Sequence, residues 1–115
     1  MIDFEAWLAA EFARRGPFTA LVLLVERDGE RFEPICSCYL NVVGTEFDWG
    51  EAMVLLSGAG VPWDAVLFFP AAAGMLSPVA ARAALAALEQ DQARLAEGVG
   101  FDRAGRSVAA LPGPA

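Results

Sequence analysis

Phe18–Val43, FTALVLLVERDGERFEPICSCYLNVV, decides the fold. Two β-rich runs flank Asp28-Gly29, and that dipeptide favours a type I′ turn whose positive φ angles match the twist of paired strands. A turn there sets Arg27 opposite Glu30, Val25 opposite Phe32, Leu23 opposite Pro34 and Leu21 opposite Cys36. Leu21, Leu23, Val25, Phe32, Pro34, Cys36 and Cys38 then share one face, predicted to be a core face. The first run is apolar on both faces, as in a central strand covered twice. The second alternates, with Arg31, Glu33, Ser37 and Asn41 outward. Its Pro34 has no N–H for a ladder, so it belongs at a sheet edge.

Upstream, Phe4, Trp7, Leu8 and Phe12 recur at helical spacing. Asp3 is the candidate N-cap, Arg14 and Arg15 suit the carboxyl end of the dipole, and Gly16-Pro17 stops the helix. Downstream, Asp48 and Glu51 have capping-box spacing and open a helix of about Trp49 to Ser57, with Trp49, Ala52, Met53 and Leu56 on one face. A short apolar strand, Ala65–Phe69, follows and is closed by Pro70. Ser77-Pro78 then offers an N-cap and an N1 proline for a last helix reaching about Glu97.

These elements predict an α+β domain, α-β-β-α-β-α. Its sheet is three-stranded and mixed, in the order 2-1-3, with a right-handed crossover between strands 2 and 3. The compact domain is expected over residues 1–100. Residues 101–115, with three Gly or Pro among the last four, are expected to form a flexible tail.

Composition restricts the function classes. The 115 residues are 57% hydrophobic, above the roughly 45–50% apolar content of ordinary domains, so part of the excess is expected at an interface. The net charge of −7 disfavours nucleic acid and anionic membrane surfaces. All eight basic residues are Arg, and with abundant Ala and Gly this points to a GC-rich bacterial genome. No basic n-region begins the chain. The charge-poor stretch 52–81 is broken by Pro62, Pro70, Pro78 and several Gly, so it lacks the about 20 unbroken apolar residues of a spanning helix. A cytoplasmic location is the expectation.

The chain has no His and no Lys, which removes the commonest general base, the commonest metal ligand and any Schiff-base nucleophile. Phosphate loops, nucleophile elbows and zinc spacings are also missing from the sequence. A non-enzyme without cofactor or metal is therefore expected. Cys36 and Cys38 share a strand face with Cα atoms about 6.6 Å apart, near the upper limit for a disulfide. They read as small buried hydrophobes, reduced and slow to react, with a dimeric metal or redox site as the competing use.

Two further groups are candidates. Leu85, Leu88, Gln92 and Leu95 form a stripe that either packs on the sheet or meets a second copy along a seam, with Gln92 setting its register. Glu46, Asp48, Trp63 and Asp64 form an acidic-aromatic set at strand–helix junctions, suited to an Arg-rich partner. Trp49 is expected in the core and Trp63 on the surface. The third strand, left at an edge by the 2-1-3 order, predicts a homodimer or a larger complex. The function expected is a small bacterial accessory protein that binds a protein partner. The alternatives are a small-molecule-binding protein or minimal Asp/Glu enzyme, and a redox subunit built on Cys36 and Cys38.

Overall fold

The computed structural model describes residues 2–28, 31–58, 60–95 and 97–108. The element order is α1 (Asp3–Arg15), β1 (Phe18–Asp28), β2 (Arg31–Val42), α2 (Trp49–Ser57), β3 (Ala65–Pro70), α3 (Pro78–Glu89), α4 (Gln92–Leu95), β4 (Val99–Asp102) and β5 (Ser107–Val108). The α+β class is as expected, but a three-stranded mixed sheet is not what forms. The sheet has five strands in the order β2-β1-β3-β4-β5, and every neighbouring pair is antiparallel. The expected 2-1-3 order survives as its first three strands.

β1 lies inside the sheet and both its faces are covered. Phe18, Ala20, Val22 and Leu24 pack with Phe4, Leu8, Trp49, Ala52 and Leu56 of α1 and α2. Leu21, Leu23 and Val25 pack with Ala81, Leu85, Leu88 and Leu95 of α3 and α4. Helices therefore cover both faces of the sheet. Phe4 is the hub of the first layer, with ring centroids 5.0 Å from Trp49, 5.2 Å from Phe68 and 5.4 Å from Phe101.

The hairpin register differs from the prediction, with consequences for the cysteines. The ladder closes at Asp28↔Arg31 and shifts between Leu24↔Cys36 and Val25↔Pro34, leaving Ile35 as the extra residue of a bulge. Gly29 and Glu30, on which the turn type depends, lie outside the described residues. A bulge moves every later side chain to the opposite face. Cys36 and Cys38 thus sit against the α1/α2 layer with Val22 and Leu24, and not with Leu21, Leu23 and Val25. Pro34 accounts for the bulge position. Val25 accepts from the Asp64 N–H on the β3 side, so Val25 needs no ladder bond from Pro34.

Both middle helices begin as their sequences predict. The Asp48 carboxylate accepts from Glu51 N–H at 2.8 Å and the Ser77 hydroxyl accepts from Ala80 N–H at 3.1 Å. Asp3, by contrast, is the first helical residue, and Ile2 occupies the cap position without a side-chain bond. The Asp3 carboxylate instead accepts from Ser107 N–H at 2.8 Å, tying α1 to β5.

The predicted last helix divides. α3 stops at Glu89, and Asp91 accepts from Arg94 N–H at 3.3 Å to start α4. A side chain that satisfies a backbone N–H locally competes with helix continuation. The largest correction concerns the expected tail, because β4, β5 and the turn between them occupy residues 99–108. Asp102 Oδ1 accepts from the N–H groups of Ala104 and Arg106, and Gly105 takes φ +79° to close the β4–β5 turn. β4 covers β3, so the predicted free edge at β3 does not exist. Residues 109–115 lie outside the described residues.

Candidate functional site

The acidic-aromatic set does not assemble. Trp63 is 4% exposed, contrary to the expected surface position, and Trp49 is buried as expected. Arg103 covers Trp63: its guanidinium carbon lies 4.4 Å from the ring centroid, and its Nε donates to the Trp63 carbonyl at 2.9 Å. The Arg103 carbonyl in turn accepts from Trp49 Nε1 at 2.9 Å. One residue of the β4–β5 turn thus joins both tryptophans. Nothing in the sequence pattern announced it, since it falls in the stretch read as a tail.

The carboxylates of the set are used differently. Asp48 caps α2, and Asp64 accepts from Arg27 N–H at 2.9 Å, extending the β1–β3 pairing past the last ladder bond. Glu46 is exposed and lines a groove of about 260 Å³ with Leu40, Val42, Phe47 and Glu51. The same use of acids recurs elsewhere, because Glu5 accepts from Trp49 N–H at 3.1 Å. Each of these carboxylates holds a backbone N–H and so acts as a structural clamp.

The predicted interface stripe is also accounted for. Leu85, Leu88 and Leu95 are buried against the chain's own sheet, so they leave no seam for a partner helix. The Gln92 side chain lies outside the described residues.

Cys36 and Cys38 are free thiols, half-buried on a groove of about 280 Å³ that Leu24, Leu40, Leu55 and Leu56 also line. Burial pushes the Cys38 thiol up from its ordinary range, and the neighbouring Cys36 adds to the shift. Among the described residues, no group of three His, Cys, Asp or Glu is placed to hold a metal ion. A raised thiol pKa leaves little thiolate at neutral pH, and the thiolate is the nucleophile. Cys38 is therefore expected to react with a water-soluble thiol reagent more slowly than a free thiol at pH 7, and to speed up as the pH rises. Rapid modification of Cys38 at pH 7 would contradict that assignment.

The feature that sequence reasoning undervalued is the outer edge of β2. Thr19 donates to Gly74 O and accepts from Ala71 N–H, and Val25 accepts from Asp64 N–H, so the odd-numbered residues of β1 face β3. Phe18, Ala20, Val22 and Leu24 therefore bond to Val42, Leu40, Cys38 and Cys36. By alternation, the N–H and C=O groups of Ser37, Tyr39 and Asn41 point away from the sheet. Residues 36–42 carry no charge and no Pro, two devices that usually blunt an edge. Grooves border this strand on both faces, one beside Leu55 and Leu56, the other beside Arg82 and Leu85. Leu55 is 48% exposed beside the first of them.

No helix among the described residues is long and apolar enough to cross a membrane. No family model, curated protein or solved structure matches this chain.

Proposed function

We propose that the chain is a non-catalytic accessory protein whose docking surface for a protein partner is the outer edge of β2 with the adjoining ridge of α2. The observation that carries it is the uncharged strand 36–42, which turns the backbone groups of Ser37, Tyr39 and Asn41 outward. An added strand would gain main-chain hydrogen bonds there, and the flanking grooves would receive its alternate side chains. Exposed Val43 and Leu55 supply apolar contact, and Glu46 and Glu51 supply a polar, acidic rim. This keeps the apolar and acidic components of the expected interface. Trp63 and Asp64 take no part, being engaged with Arg103 and Arg27.

A photoreactive side chain at Leu55 should crosslink into a discrete heavier species in native lysate. The same group at Val79, 76% exposed at the start of α3, should not. Ser37→Pro should abolish the Leu55 product, because that N–H faces outward and the inner ladder is kept. No discrete Leu55 product, or one unaffected by Ser37→Pro, would remove the β2 edge as the docking surface.

A further inference from the structure

The occupant of the β2 edge can be argued from the charges beside it. We infer that it is a second copy of this chain, paired antiparallel through β2 about a two-fold axis near Tyr39 to give a continuous ten-stranded sheet. The inference rests on the docking surface proposed above and names its partner.

Self-pairing about Tyr39 sets Ser37 opposite Asn41 on one face, and Cys36 and Cys38 opposite Val42 and Leu40 on the other. No charged side chain meets another within the paired segment. The bulge and Pro34 end the regular ladder on one side, so the template is confined to residues 36–42. A segment centred on Tyr39 matches itself under a two-fold, as a self-complementary interface requires.

α3 supplies the second, independent observation. Arg82 and Glu89 both line the groove beside Ser37 and Tyr39. They stand seven residues apart, two helical turns and about 10 Å along the axis. Both are exposed, and neither has an ion-pair partner among the described residues. A two-fold perpendicular to the sheet brings the two α3 helices side by side on the same face and antiparallel. Arg82 of each copy then faces Glu89 of the other, twice. The opposite signs at the two ends make the rim self-complementary, which favours a copy of this chain over an unrelated strand.

Sedimentation of the full chain at micromolar concentration tests this. The expected result is a dimer that Ser37→Pro converts to monomer with an unchanged far-ultraviolet spectrum. Arg82→Glu and Glu89→Arg should each weaken association about tenfold, since each turns two attractive rim pairs repulsive. Mixing those two variants, or combining both substitutions in one chain, should restore it, because opposite charges face each other again. A chain monomeric throughout that range, a dimer indifferent to Ser37→Pro, or single variants that associate as tightly as wild type would overturn the inference. If the chain is monomeric and the Leu55 photocrosslink captures a different protein, the second copy is wrong and the docking surface stands. If neither association nor crosslink is found, both fail.

Discussion

Phe101→Ala should destabilise the protein by about 3–5 kcal/mol, the usual cost of truncating a fully buried Phe. That is a large part of a total of about 5–15 kcal/mol. Phe101 is 0% exposed, and its ring packs within 6.3 Å of four others, Phe4, Trp7, Trp49 and Phe68. It also belongs to the strand that pairs with β3 through Val66↔Phe101. Urea unfolding gives the measurement. A chain ended after Gly98 should not fold, because it exposes the apolar β3 edge and uncovers Phe4 and Trp49 together. An unchanged midpoint for Phe101→Ala would mean that β4 contributes nothing to the core.

The elements up to residue 89 were legible because each carries a local signal that its own packing reinforces. Gly16-Pro17 ends α1, Asp48 caps α2, Ser77-Pro78 opens α3, and the doubly apolar β1 ends up covered on both faces. What was missed depends on contacts distant in sequence. The β4–β5 hairpin is short, and its four-residue strand has Gly100 at a position where a Cβ would meet Val108 Cγ2 at 2.9 Å. A Gly required by a close neighbour looks, in sequence, like a Gly that marks a loop. The Asp102 and Gly105 turn signals were present, but Gly and Pro at the chain end outweighed them. The bulge at Ile35 was not legible either: Pro34 signalled an edge, but not that one residue would be looped out and the cysteine face reversed. At the candidate site the residue types misled. A Trp beside an Asp at a strand entrance resembles a binding patch, and only the fold brings Arg103 across it.

Trp63→Ala therefore should act on stability, with an expected cost of about 3–5 kcal/mol. The side chain is nearly fully buried in the α1/α2 layer, at the entrance to β3. Arg103→Ala removes the cation over that ring and the Nε bond to the Trp63 carbonyl. At an exposed position the cation–π contact is worth about 0.5–1 kcal/mol, and the hydrogen bond adds about 1.5 kcal/mol or more. The cation–π contact is the one both substitutions remove, since the Trp63 carbonyl remains in Trp63→Ala, so their costs should fall short of additivity in the double variant by about 0.5–1 kcal/mol. Trp63→Phe keeps most of the apolar volume and should cost less than Trp63→Ala, leaving a folded protein for association measurements. If Trp63 acts only through packing, that variant associates as wild type does, while Ser37→Pro does not. If Trp63→Ala keeps the wild-type unfolding midpoint while Trp63→Phe loses partner association, Trp63 is a contact residue after all, and the docking surface must extend from β2 to the β3 entrance.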